Sequence, residues 1–100
     1  MHEYQAEALQ REALRLWKQA RGLEHVNTLI TMNNLAGFVA NQGRLVEAEL
    51  LHHETLRLRS HALGEEHPDT IQSMVNLAAM SDQQGNHIEA ERIYRKTLEL

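Results

Sequence analysis

The sequence predicts an all-α chain in which antiparallel helix pairs stack into an open solenoid. The chain repeats itself every 42 residues, and residues 4–45 share 18 identities with residues 46–87. Apolar residues recur at helical spacing within each repeat. One proline, four aromatic residues and abundant Leu, Ala, Glu and Gln favour helices over strands. Because each helix pair leaves an apolar face that only the next pair covers, a solenoid is favoured over a closed globule.

Each repeat contains two predicted helices of different character. We name the helix that follows a His-containing loop an A helix, and the helix that follows a Gln-Gly pair or its equivalent a B helix. The periodicity predicts five helices in the order B, A, B, A, B, at about residues 2–20, 27–42, 45–62, 69–84 and 87–100.

Residues with known end preferences mark the helix boundaries. Gly64 supplies a stop for the central B helix, as Gly22 does one repeat earlier. Pro68 suits the first turn of the next A helix, where Asp69 also favours the positive helix end. Asn86, with Glu89 three residues later, predicts a capping-box start for the last B helix.

The apolar positions predict which helix faces are buried. Residues on the buried face of the second A helix are Met74, Leu77, Ala78 and Ser81. Those of the central B helix are Leu45, Ala48, Leu51, Thr55, Leu56 and Ala62, with Arg59 on another face. The first B helix carries Ala6, Leu9, Ala13, Leu14 and Trp17. We therefore expect Leu35, Ala36, Leu77 and Ala78 to be buried between A and B helices.

Leu-Ala in the first helix, Gly at the turn and Ala early in the second helix resemble the tetratricopeptide repeat. These residues are Leu35, Ala36, Gly43 and Ala48, then Leu77, Ala78, Gly85 and Ala90. The 42-residue period and the stretches Gly22–Thr28 and Gly64–Thr70 look like the kinesin-light-chain type, which also occurs in arrays of STAND-type signalling ATPases. The resemblance implies a right-handed solenoid that binds proteins and has no catalytic activity.

The chain departs from the family pattern at its aromatic positions. The aromatic residue expected soon after the turn glycine is Leu45 in one repeat and His87 in the next. The later aromatic position of the B helix holds Gln10, His52 and Tyr94 in turn. We expect these changes to loosen the packing between hairpins without changing the fold.

The resemblance implies that residues 1–100 form a single array of repeats. It divides them into a partial repeat 1–22, a repeat 23–64 and a repeat 65–100 whose helix B is truncated. Neither end carries the polar capping helix that normally closes a solenoid. We therefore expect the chain to be a fragment of a longer array, or to self-associate through its uncapped ends. Trp17 is interpreted as a cover for the edge of the first helix or as a contact for a preceding repeat or partner.

Composition and charge exclude several classes of function. Ten Lys and Arg residues against 14 Asp and Glu residues give a net charge of −4, which argues against nucleic-acid binding and against attachment to anionic membranes. The absence of cysteine excludes disulfides and thiolate zinc sites, and is compatible with a reducing compartment. No secretory signal or long apolar run is visible. We expect a cytoplasmic protein.

Seven histidines raise the question of a metal site. The best cluster is His52 and His53 with Glu49, but adjacent histidines point in different directions on a helix, and no second ligand pair accompanies them. His25 and His67 recur at one loop position, which predicts a structural role. Neither a phosphate-binding loop nor a nucleophile elbow is present. We expect no metal, no cofactor and no enzymatic activity.

The distribution of charge points to the A helices as a binding surface. Residues 26–43 contain no charged side chain, and residues 70–85 contain only Asp82. In the family that the chain resembles, A helices line a concave groove. The groove positions here are Ile30, Asn33, Asn34, Gly37, Asn41, Gln72, Val75, Asn76, Ala79 and Gln83. They form a neutral, amide-rich surface without the Lys and Arg residues that hold acidic cargo in some relatives.

Such a surface suits the backbone of an extended peptide, because amide side chains both donate and accept hydrogen bonds. The leading hypothesis is therefore a non-catalytic scaffold that binds a peptide or protein partner. Three alternatives stay open. Asn34 and Asn76 could instead hydrogen-bond between adjacent helices. The chain could be a structural or self-association module, or an enzyme or regulator whose chemistry lies in a part of a longer chain.

Overall fold

The computed structural model describes residues 3–100 and contains five α-helices over that range. They are α1 (Glu3–Arg21), α2 (Val26–Asn41), α3 (Leu45–Leu63), α4 (Pro68–Gln83) and α5 (His87–Leu98). The rest of this range forms turns and short connections, without strands. The all-α fold with five helices is thereby confirmed, and the helix ends fall within a few residues of their predicted positions. The predicted start of the first helix near residue 2 lies outside the described residues.

A histidine side chain begins each A helix. His25 and His67 have extended backbones immediately before α2 and α4. The backbone N–H of Asn27 donates to Nδ1 of His25 at 3.1 Å, and that of Asp69 donates to Nδ1 of His67 at 3.0 Å. Each imidazole therefore satisfies one of the free N–H groups at a helix start. The structural role predicted for these two histidines is confirmed.

The B helices end and α5 begins largely as their residues predict. Gly22 and Gly64 adopt φ values of 87° and 89°, a left-handed conformation that other residues rarely adopt. Asn86 Oδ1 accepts a hydrogen bond from the Glu89 N–H at 3.3 Å, as the capping-box pattern predicts. The Glu89 carboxylate pairs with Arg92 instead of returning to the Asn86 backbone, so only half of the box forms.

Neighbouring helices pack in sequence order: α1 against α2, α2 against α3, α3 against α4, and α4 against α5. The predicted burial of the two Leu-Ala pairs is confirmed, since Leu35, Ala36, Leu77 and Ala78 are all buried. The predicted face of the second A helix is also buried, because Met74 and Ser81 lie inside as well. The main core cluster contains Leu14, Leu29, Met32, Leu35, Val39, Ala48, Leu58 and Met80.

Two predicted core positions are wrong, and a third is only partly enclosed. Leu56 is half-buried against the smaller cluster around Met74, and Leu58 takes the enclosed position on α3. Ala62 is exposed, because it lies in the last turn of α3 just before Gly64. Leu9 is exposed on α1, on a side that no other helix of residues 3–100 covers.

Trp17 and Arg59 occupy equivalent positions, and both tie a B helix to the segment that follows it. Trp17 stacks on His25 with ring centroids 5.8 Å apart and an interplanar angle of 8°. Arg59 was predicted on a solvated face, but it is buried. Its Nη1 donates to the Asp69 carbonyl at 3.2 Å and to Ser73 Oγ at 2.9 Å. The interpretation of Trp17 as a cover at the edge of α1 agrees with this contact.

Ion pairs connect α1 to α3 on the surface. Glu7 accepts from Arg44 at 2.5 Å and from Arg11 at 2.9 Å. Glu47 pairs with the same two arginines, at 2.7 Å from Arg44. Hydrogen bonds from Arg44 and Arg11 lower the pKa of Glu7 from 4.5 to about 2. The ionised carboxylate is therefore favoured in the folded chain.

We expect Glu7→Gln to weaken the acid sensitivity of the fold. A depressed folded pKa stabilises the folded chain above the unfolded pKa of 4.5, and this stabilisation is lost as the pH falls towards 2. Urea unfolding midpoints measured across that window should fall less for Glu7→Gln than for the parent. Glu65→Gln is the control, since Glu65 is exposed and forms no ion pair with another residue of the range 3–100. Parallel profiles for the parent and Glu7→Gln would contradict the proposed linkage.

Candidate functional site

A groove of about 290 Å³ lies between α2 and α4, with α3 beneath it. Six of the ten predicted site residues line it: Asn33, Gly37, Asn41, Asn76, Ala79 and Gln83. Those from α2 are spaced four apart and therefore share one side of the helix. Asn76, Ala79 and Gln83 follow a similar spacing on α4. The helical repeat thus places one polar stripe from each A helix on the groove.

The other four predicted site residues lie on the same helices outside the groove lining. Ile30 and Asn34 are exposed on α2, and Gln72 is exposed on α4. Val75 is half-buried on α4. The groove therefore occupies the part of the predicted surface nearest the C-terminal ends of both A helices.

A chain of amides links the two A helices at one end of the groove. Gln72 Nε2 donates to Asn76 Oδ1 at 2.9 Å, and Asn76 Nδ2 donates to Asn33 Oδ1 at 3.1 Å. Asn76 thus bonds across adjacent helices, as the structural alternative expected, but its partner is Asn33 and not Asn34. Part of the amide surface therefore holds the array together.

The amides at the opposite end of the groove have no such engagement. Asn41 and Gln83 are exposed, and neither side chain makes a hydrogen bond to another residue of the described range 3–100. Each amide offers an N–H₂ donor and a carbonyl acceptor. These two side chains can therefore hydrogen-bond a ligand without breaking a contact of the fold.

Sequence reasoning missed three residues of the groove: Ala40, Met80 and His52. His52 is the informative one, since it reaches the groove from α3 and is 4% exposed. Its Nδ1 is buried without a hydrogen-bond partner within residues 3–100. Burial, and to a lesser degree the charge of Arg59, lower the pKa of His52. His52 could have been identified from the sequence, because it is a polar residue at a B-helix position where the family pattern has an aromatic one.

The groove is electrically neutral and open. None of its described lining residues is an Asp, Glu, Lys or Arg, and the lowered pKa favours the neutral form of His52. Space is available at Gly37, where an added Cβ would meet no atom within 4 Å. The arrangement can form hydrogen bonds with an uncharged ligand, and it provides no counter-ion for a charged one.

The three residues that were considered for a metal site, Glu49, His52 and His53, have different surroundings in the fold. Glu49 accepts hydrogen bonds from Gln84 at 3.1 Å and Ser81 at 3.4 Å, which connects α3 to the end of α4. His52 lies under the groove, whereas His53 is exposed. No group of three potential metal ligands is found within residues 3–100. Among the helices of that range, none has the length and apolarity to cross a membrane.

A tetratricopeptide repeat model matches residues 30–100, from the first turns of α2 to the end of the chain. No curated protein matches the sequence. Tetratricopeptide repeats generally mediate protein–protein interactions and are not catalytic modules.

Proposed function

The chain belongs to the tetratricopeptide repeat family, and from that premise we propose that it is a non-catalytic scaffold that binds a peptide segment of a partner protein. The proposed site is the groove between α2 and α4. The observation that carries the proposal is its uncharged lining, with the unengaged amides of Asn41 and Gln83 beside the open space at Gly37. A peptide backbone presents N–H and C=O groups that such amides can pair.

The proposed binding surface extends beyond the groove along both A helices. Ile30 and Asn34 continue it on α2, and Gln72 and Val75 continue it on α4. Ile30 adds an exposed apolar side chain to this mainly amide surface. An extended segment lying across both helices would therefore meet polar contacts in the groove and an apolar contact outside it.

We further infer that the repeats are of the kinesin-light-chain type and divide at residues 1–22, 23–64 and 65–100. The 42-residue period and the matched caps at His25 and His67 support this division. A place within a cytoplasmic STAND-type signalling protein agrees with the high identity between the repeats. None of the described residues that line the groove is a Lys or Arg, so we do not extend the proposal to acidic cargo.

Blocking the groove tests the proposed site. Gly37→Gln should fill the open space while favouring α2, because glycine is a poor helix former. We expect peptide affinity to fall about tenfold or more, equivalent to about 1.4 kcal/mol, while the melting temperature stays equal or rises. Ala62→Gln is the control, since Ala62 is exposed on α3 and lies outside the proposed binding surface. Titration calorimetry and thermal melting separate the two effects.

The salt dependence of binding gives an independent check. An uncharged groove should hold its peptide with nearly constant affinity between low and moderate salt, because screening acts on charges. A steep loss of affinity with salt would implicate the charged B helices. Full binding by Gly37→Gln would likewise contradict the groove assignment.

Exposed apolar residues at both ends favour self-association as a second candidate function. Tyr4, Leu9 and Leu16 are exposed on α1, and Ile88 and Leu98 are exposed on α5. Leu16 is 49% exposed, whereas its counterpart Leu58 is 3% exposed against α2. Sedimentation velocity over a range of concentrations tests this candidate. A mass that rises with concentration supports it, and a constant monomer mass contradicts it.

A further inference from the structure

The floor of the groove contains a polar atom that the fold does not satisfy. His52 projects from α3 beneath the groove formed by α2 and α4, and its Nδ1 has no partner within residues 3–100. Most buried polar groups in proteins are hydrogen-bonded, and an unpaired one destabilises the fold. The side chain is more than nine-tenths buried, so bulk water does not compensate the loss. The groove is the open space next to this ring.

The repeat position of His52 carries a polar side chain throughout the chain. Its counterparts are Gln10 and Tyr94. Gln10 Oε1 is also buried without a partner, whereas Tyr94 is partly exposed. Of the three, His52 is the one that lines the groove between the two A helices within the described range. The His52 imidazole is thus the polar side chain at this repeat position that borders the groove.

The chemistry of the groove limits what that side chain can be. A neutral imidazole has one nitrogen donor and one nitrogen acceptor, so it can pair with an amide or a hydroxyl group. A charged side chain would lose its hydration without gaining a counter-ion from the lining residues. An apolar side chain would leave Nδ1 unpaired. An uncharged polar side chain can hydrogen-bond the imidazole and needs no counter-ion, so this class of side chain fits the groove.

On the basis of the proposed peptide-binding function, we propose that His52 is a specificity-determining residue of the groove. On binding, the imidazole turns towards the groove, and its Nδ1 hydrogen-bonds the side chain of a Ser, Thr, Asn or Gln residue of the bound peptide. The peptide backbone lies across Asn41 and Gln83, and the selected side chain points down towards α3. The unpaired nitrogen destabilises the free chain and gains its partner on binding.

Two substitutions separate binding from folding. His52→Leu removes the polar atom and leaves an apolar side chain, so it should shift the urea midpoint upwards. It should also weaken peptide binding about tenfold, the range expected for one lost hydrogen bond. His52→Asn keeps a polar atom attached to Cγ, where Nδ1 is attached, and should retain more of the affinity. His53→Leu, at the exposed neighbouring residue, is the control and should leave binding unchanged.

The probe is a phage-displayed library of random linear peptides, selected against the full chain. Peptides directed at the groove are those whose binding is lost on Gly37→Gln. We expect them to share one uncharged polar residue, and replacing it with alanine should weaken binding to the parent but not to His52→Leu. The ¹⁵N resonance of His52 Nδ1 should shift when such a peptide is added.

The outcomes distinguish the two proposals. If selected peptides still bind Gly37→Gln, or if no peptide directed at the groove is recovered, the proposed function fails. If groove peptides bind His52→Leu as tightly as the parent, the role of His52 is overturned and the groove assignment stands. A shared Asp, Glu, Lys or Arg in place of the uncharged residue would also overturn it. An upward urea shift without a change in affinity would mean that the buried nitrogen serves no ligand.

Discussion

Ala36→Arg is expected to unfold the chain at temperatures where the parent remains folded. Ala36 has an exposed fraction of 0%, and so does its counterpart Ala78 one repeat later. It is flanked on α2 by the buried residues Leu35 and Val39. An arginine at this position would force a long side chain into filled space and bury an unpaired charge. We expect a loss of more than about 4 kcal/mol in unfolding free energy.

Ala62→Arg is the matched control for that experiment. Ala62 is an exposed helical alanine, so the same substitution should change the unfolding free energy by only about 0.5 kcal/mol in either direction. Thermal melts followed by circular dichroism would measure both variants. If Ala36→Arg melted at the parent temperature, the buried face of α2 would be wrongly assigned, and with it the side on which the groove lies.

The fold could be predicted because the two repeats carry the same residues at helix contacts and helix ends. Small residues recur at Ala36 and Ala78, where helices contact, and histidines recur at the two A-helix starts. Local end signals and long-range packing therefore agree in both repeats, which is the consistency expected of a sequence that specifies one structure. Comparing the sequence with itself at a shift of 42 residues reveals this agreement without any knowledge of side-chain contacts.

Buried polar residues could not be predicted in the same way, because the repeats differ where they occur. Arg59 replaces Trp17, and helical periodicity treats an arginine as a surface residue. Its burial depends on the carbonyl of Asp69 and the hydroxyl of Ser73, which lie close to it only once α4 has packed against α3. The place of His52 in the groove lining was missed for the same reason. The equivalent residues Gln10 and Tyr94 are chemically different from it, and neither of them lies under the groove.

The helix faces that line the groove could be predicted from the sequence, but the register between the two A helices could not. Helical spacing placed Asn33 and Asn41 on one side of α2, and both line the groove. The same repeat alignment pairs Asn34 with Asn76, whereas the structure pairs Asn76 with Asn33. The amides that hydrogen-bond across these two A helices therefore belong to residues that are not equivalent in the repeat. Sequence alignment alone does not contain that difference in register.

Leu58→Ala is expected to cost about 2–5 kcal/mol in unfolding free energy, the range for a fully enclosed leucine. Leu58 is 3% exposed and belongs to the core cluster that contains Leu29 and Leu35. Removing its side chain leaves a cavity between α2 and α3. Urea unfolding, followed by circular dichroism, gives the loss directly.

The expected loss of unfolding free energy decreases in the order Leu58, Leu56 and Leu16, three leucines on the B helices. Leu56→Ala should cost less than Leu58→Ala, because half-buried Leu56 already exposes part of its side chain to water. Leu16→Ala removes the equivalent of Leu58 from α1, where no A helix within residues 3–100 covers it, and should cost least. The three substitutions are chemically identical, so their order reports only the packing. A larger loss at Leu56 than at Leu58 would mean that α3 is rotated about its axis, which would also move His52 away from the groove.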